Sequence, residues 1–304
     1  MLELLARNAA PLPARSAALS GNLLGAASMI VWAAGFPALE GLLETWDPFA
    51  LVVGRFAMAL VPLVPLMLWL EGVPRGMPWG RAFLYGGIGL AGGSVTLILA
   101  QAATDPVTVA VIASVSPITA ALVEWATDRR PLSRGFRLGV GFSVLGGVVA
   151  TWGSGAGGGD LALGAALAVL SCIVFSWGSH QTVRGLPGQS ALAQAVATMT
   201  GGLLAGLVAL GLSAAAGGAG FPEGALTARD LTMLAVYGMG GMALSQLLFI
   251  LAIRRIGVGL ASFHINGAPF YVMLIMLAFG GGWSWAQAAG AGVVALGVVL
   301  AQRR

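Results

Sequence analysis

Few residues in this 304-residue chain could do chemistry, and their scarcity narrows what that chemistry is. His180 and His264 are the only histidines. Cys172 is the only cysteine, which excludes an intrachain disulfide and a Cys-rich metal site. It sits in an apolar stretch, where packing is the ordinary role of a thiol. All fifteen basic residues are Arg. Without Lys there is no P-loop, whose Lys reaches the phosphates, and no Schiff base for retinal or pyridoxal phosphate. No His-x3-His, no Gly-x-Ser-x-Gly and no paired mid-helix carboxylates occur. An enzyme working inside a membrane would need such a metal or nucleophile constellation. The expectation is therefore no catalytic residue and no metal.

What remains is recognition chemistry, carried by a few polar and aromatic side chains inside long apolar stretches. A polar group there is expensive and is kept for function or for a paired structural role. Arg55 can hold a substrate carboxylate bidentately; its alternative is to snorkel to the interface or to pair with Glu40 or Glu44. Ser262 and Asn266 are spaced i, i+4 and share one helix face, with Phe270 one turn on. Pro269 follows and removes a backbone donor, so freed carbonyls and an amide could hold an ammonium group. Ser114 and Pro117 stand at the equivalent place in the first half. The two prolines serve either as hinges or as packing kinks. Trp32 and Trp177 lie deep in their helices and either line a cavity or face lipid. Tyr85, Tyr237 and Gln246 complete the expected substrate site. His180 and His264 titrate near neutral pH and suit gating or proton coupling, or a polar helix contact.

These residues need elements to position them. The chain is 58% hydrophobic and 9% charged, against about 25% charged in a soluble domain. Such a chain faces lipid. A span needs about 20 apolar residues. The apolar runs predict helices at 20–42, 48–70, 80–103, 106–127, 133–152, 161–183, 191–213, 230–253, 257–280 and 284–302. The runs are continuous rather than alternating, which predicts helices and not barrel strands. The fold class expected is an all-α membrane protein of ten transmembrane helices.

Arginine gives the orientation. Arg7, Arg15, Arg75, Arg81, Arg129, Arg130, Arg134, Arg137, Arg184, Arg254, Arg255, Arg303 and Arg304 fall on one side of these spans, and only Arg229 on the other. Cationic loops stay in the cytoplasm, so both termini are expected there. The net charge of +4 is thus a topology signal and not a nucleic-acid footprint. Trp46, Trp69, Trp79, Trp125, Trp152, Trp283 and Trp285 lie near span ends, where indole rings favour the interface.

The chain also repeats. Gly139-x-Gly141-x4-Gly146 recurs as Gly290-x-Gly292-x4-Gly297, and Pro117 recurs as Pro269, 152 positions later. The expected organisation is a cytoplasmic tail at 1–18, a first five-helix repeat at 19–152, a Gly-rich linker at 153–160 and a second five-helix repeat at 161–304. An odd number of spans per half makes the repeats inverted, an arrangement that places transporter substrates at the seam.

Several local patterns fit this layout: Gly21-Asn22-Leu23-Leu24 leading to Trp32, Gly54-Arg55-Phe56, Gln101-Ala102-Ala103-Thr104 running through Ser116-Pro117, and the Gly-rich fifth span. Together they resemble the drug/metabolite transporter superfamily in its ten-helix EamA-like branch, over nearly the whole chain. The layout is closest to bacterial aromatic amino acid exporters. The family's Glu-Arg pair after span four is replaced here by Asp128-Arg129-Arg130. The resemblance implies export or exchange of amino acids or similar metabolites across the bacterial inner membrane, with a small-molecule substrate, the lipid bilayer as surroundings, no cofactor, and a monomer or homodimer. The alternatives are a multidrug or other metabolite carrier, or an enzyme or scaffold. A nucleotide sugar would need several basic residues in the cavity, and Arg55 is the single candidate.

Overall fold

The computed structural model describes residues 14–129, 134–152, 160–222 and 226–302. Most of the expected tail and the expected linker, 1–13 and 153–159, lie outside the described residues. Among the described residues there are helices and turns but no strand. We label the helices α1 (Ser16–Leu43), α2 (Pro48–Leu70), α3 (Trp79–Ala103), α4 (Pro106–Asp128), α6 (Leu161–Gly185), α7 (Ala191–Ala215), α8 (Ala228–Gly257) and α9 (Leu260–Ala278). These eight are long and apolar enough to cross a membrane, and the chain is a multi-pass membrane protein. Helices α5 (Arg134–Trp152) and α10 (Trp285–Gln302) lie at the two remaining expected intervals and pack on each other along their length. A small residue permits that contact: a Cβ on Gly146 would stand 2.7 Å from the Gly290 carbonyl oxygen.

Two boundaries differ from the sequence expectation. The first helix is already formed at Ala14 and takes in the end of the expected tail. Helix α8 continues past Arg254 and Arg255, expected in a loop, and stops at Gly257, where φ is 79°. An apolar run ends at its first charge, but a helix ends where its backbone does. Glycine takes positive φ without steric cost.

The helix starts are written locally. Asp47 and Asp105 each precede a proline at the first helical turn, and each accepts two backbone N–H groups. Proline there has no N–H to leave orphaned, and the aspartate satisfies the next ones. Asp105 also accepts from Gln287 Nε2 at 3.1 Å, which ties α4 to α10. Asp160, by contrast, accepts only Leu163 N among the described residues, at 3.0 Å and on an exposed surface. Asp105→Ala should therefore cost about 2 kcal/mol, the upper end for a lost cap, and Asp160→Ala nearer 0.5 kcal/mol. Thermal melts of the purified variants in detergent check this ordering; equal melting temperatures would contradict it.

Helices α3 and α8 share an uncommon feature. Each opens into a π-helical stretch, at Tyr85–Gly92 in α3 and Ala235–Leu244 in α8. The wider turn accommodates an extra residue and is frequent at functional sites. Both stretches carry Tyr-Gly, at Tyr85-Gly86 and Tyr237-Gly238. Helix α3 packs against α6 and α7, and α8 against α1 and α2. Helices α4 and α9 are interrupted as well. Helix α4 turns at Ser114–Val115 and resumes with Pro117 in its first turn. A 3-10 segment at Phe263–Gly267 leads into α9's remainder, with Pro269 in its first turn.

Candidate functional site

The interruptions in α3, α4 and α8 border a common interior space. A cavity with about 630 Å³ free of protein atoms lies between α1, α2, α3, α4, α6, α8 and α9. Its apolar lining comes from Met29, Trp32, Leu97, Phe175, Met242, Phe249 and Ile265. Its polar lining is Ser28, Ser94, Ser116, Ser171, Ser245, Gln246 and Arg55. Arg55 is the one charged side chain among the residues that line it.

Arg55 is 4% exposed. Its Nη1 donates to the Tyr237 hydroxyl at 3.1 Å and to Ser94 Oγ at 3.4 Å, and its Nη2 donates to the Gly241 carbonyl at 3.5 Å. The guanidinium carbon stands 4.5 Å from the centre of the Tyr237 ring, a cation–π contact that offsets part of its desolvation. Its Nε is buried without a partner among the described residues. The two carboxylates that the sequence offered as partners are engaged elsewhere. Glu40 accepts from Gln101 Nε2 at 3.2 Å, and Glu44 pairs with Arg229 at 3.0 Å. Among the described residues Arg55 has no ion-pair partner, and it does not reach the surface. The snorkelling and pairing alternatives therefore give way to a cavity-facing cation.

Arg55, Trp32 and Leu97 also border a second, smaller space of about 190 Å³, enclosed further by Gly35, Phe36, Leu39 and Tyr237. These three side chains form the partition between the two spaces. Trp32 is held edge-on by Phe36, with ring centroids 4.8 Å apart.

The structure thus brings together Trp32, Arg55, Tyr237 and Gln246 of the expected site. It places the others elsewhere. Tyr85 is buried against Trp177, ring centroids 5.9 Å apart, and Gly185 lies against its ring. Trp177 lines an apolar groove at the flank of the bundle with Ile88 and Leu122, not the cavity. Ser114 donates to the Ala110 carbonyl at 3.1 Å within its own helix, and its neighbours Ala113 and Ser116 face the cavity instead. On α9 the cavity-lining residue is Ile265. Ser262 is buried outside the lining, Phe270 packs in the apolar cluster around Val109 and Val272, and Asn266 is half-buried with Oδ1 unpartnered. The 3-10 segment rotates this face away from where an unbroken α-helix would put it.

Neither histidine lines the cavity. His180 Nε2 is 3.3 Å from Thr127 Oγ1 and 3.8 Å from Asp128 Oδ2, at the junction of α6 with the end of α4. Arg184 pairs with Asp128 at the same junction. His264 Nε2 is 3.1 Å from Asn22 Oδ1, joining α9 to α1.

Sequence reasoning missed the serines. Ser28, Ser94, Ser116, Ser171 and Ser245 come from five different helices. Four of them donate to backbone carbonyls: Ser28 to Ser245 at 2.7 Å, Ser116 to Ala113 at 2.5 Å, Ser171 to Gly93 at 2.7 Å and Ser245 to Gly241 at 2.7 Å. The available signal was one small hydroxyl near the middle of each of these helices.

No curated protein matches the chain. A solved structure, described only as a crystal structure of a protein, has a TM-score of 0.69 at 18% identity, covering 94% of this chain and 98% of that chain. Identity that low speaks to the fold alone. The family comparison speaks to α1–α5: residues 19–152 match the model of the EamA-like transporter family.

Proposed function

We propose that this protein is a bacterial inner-membrane transporter that exports or exchanges amino acids or similar carboxylate-bearing metabolites by alternating access. The observation that carries this reading is the buried Arg55, without an ion-pair partner among the described residues, facing an intramembrane cavity. A cation desolvated without a counter-ion is costly, and a substrate carboxylate supplies the missing partner in bidentate form. The apolar lining accommodates a hydrocarbon side chain. The match to a transporter family, ending at residue 152 where α5 ends, supports ten crossings arranged as two five-helix halves. The paired π-helical stretches and the reciprocal packing of α3 and α8 support an inverted relation between the halves. Arginine asymmetry supports cytoplasmic termini. Rocking of the halves about the cavity would then expose it to each side in turn.

The test is flux of radiolabelled amino acids in proteoliposomes holding the purified protein. Saturable flux above protein-free vesicles is expected for amino acids with apolar side chains. Flux of some other metabolite class with none of any amino acid would refute the substrate assignment.

A further inference from the structure

We infer that the cavity recognises its substrate through the carboxylate alone, so that carboxylates without an α-amino group bind as well as the corresponding amino acids. This rests on the transport reading above and narrows its substrate class.

The donors and acceptors on the wall are unequal. Among the described residues two donors stand unpartnered: Arg55 Nε and Gln246 Nε2, on side chains 4% and 3% exposed. Both residues line the cavity. A buried donor without an acceptor costs free energy until a ligand supplies one. An anion with two oxygens satisfies both, and the fork of the guanidinium matches a carboxylate.

An ammonium group finds the reverse. It brings three donors and needs acceptors. No carboxylate lines the cavity. The remaining candidates are the single Gln246 amide oxygen and backbone carbonyls freed by the broken helices, and the wall's own hydroxyls already occupy the latter. Gly93 O accepts from Ser171 at 2.7 Å and from Thr96 at 3.1 Å. Gly241 O accepts from Ser245 at 2.7 Å and from Arg55 at 3.5 Å. Ser245 O accepts from Ser28 at 2.7 Å. A carbonyl has two lone pairs, so these acceptors are filled from within. The serine oxygens that remain are neutral, and the Arg55 charge in the same space repels a cation. The amino group therefore gives up its hydration for at most one neutral amide acceptor against its three donors.

Three compounds sharing one benzyl group separate the contributions: phenylalanine, 3-phenylpropanoate, which lacks the amine, and 2-phenylethylamine, which lacks the carboxylate. Binding is read as ligand-dependent thermal stabilisation of the purified full-length protein in detergent. Phenylalanine and 3-phenylpropanoate should have dissociation constants within about threefold of each other, and 2-phenylethylamine one at least about tenfold weaker. Gln246→Leu should weaken both acids by the same factor, roughly tenfold, without lowering the melting temperature of the free protein. Phenylalanine binding about tenfold more tightly than 3-phenylpropanoate would overturn the inference and leave the transport reading intact. Equal stabilisation by the amine, or stabilisation by none of the three, would also overturn it; the proteoliposome panel decides separately on transport.

Discussion

Arg55→Met should cut transport roughly 10- to 150-fold while leaving the protein at least as stable as wild type. The two halves of this expectation have one cause. Arg55 has no ion-pair partner among the described residues, so removing it strands no buried carboxylate. Breaking a buried pair typically costs about 3–5 kcal/mol because the other charge is left uncompensated. Here that penalty is absent, and the desolvation cost of the guanidinium itself is relieved. The Tyr237 hydroxyl and Ser94 lose a donor, at about 1–3 kcal/mol if they stay unsatisfied. Both border the open cavities, where water can replace it. On the substrate side, hydrogen bonds to a charged group contribute about 1.5–3 kcal/mol, so the loss in flux is roughly 10- to 150-fold. Arg55→Lys keeps the charge but not the fork or its stacking on Tyr237, and should fall between the two. Proteoliposome flux and detergent melting temperature, taken on the same preparations, check both parts. A variant that transports normally would remove Arg55 from the site. One that melts well below wild type would make it a structural residue instead.

The sequence discloses this Arg readily and its surroundings poorly, for a physical reason. Helix positions follow from apolar length, which the bilayer dictates, so most of the observed bounds lie close to the expected ones. A charge within a span is conspicuous, and so is a proline; Arg55, Pro117 and Pro269 are readable for that reason. The cavity face of each helix is not. In a soluble helix the polar face points out and the periodicity shows it. In a membrane helix lipid and core are both apolar, and the period vanishes. Ser262 and Asn266 share a face by α-helical spacing, yet the 3-10 segment at Phe263–Gly267 turns that face away and leaves Ile265 at the cavity. The five cavity serines looked like ordinary helix residues because a serine hydroxyl commonly bonds its own helix. Only the tertiary packing reveals that Ser28 and Ser171 bond across to a different helix.

Gly86→Ala should destabilise the protein more than any other single methyl addition on α3. A Cβ at Gly86 would stand 1.7 Å from the Thr198 carbonyl oxygen of α7. The obstacle is backbone, so no side-chain rotation relieves it and the two helices must part. Overpacking of this kind costs roughly 1–3 kcal/mol, and the short distance puts Gly86 at the top of that range or beyond. The corresponding residue in α8 is Gly238, whose Cβ would meet Met58 Cβ at 2.6 Å and the Arg55 carbonyl oxygen at 2.8 Å. Gly238→Ala should therefore act twice: it loosens α8 from α2, and it displaces Arg55, the residue proposed to hold the substrate. Gly80, on α3 with nothing within 4 Å of an added Cβ, is the control. There alanine gains helix propensity of up to about 1 kcal/mol and should leave the melting temperature unchanged or slightly higher. The expected order of melting temperatures is Gly80→Ala at or above wild type, with Gly86→Ala and Gly238→Ala well below. Gly238→Ala should also lose transport at temperatures where it remains folded. If Gly86→Ala melted with wild type, α3 and α7 could not be in the close backbone contact seen between Gly86 and Thr198.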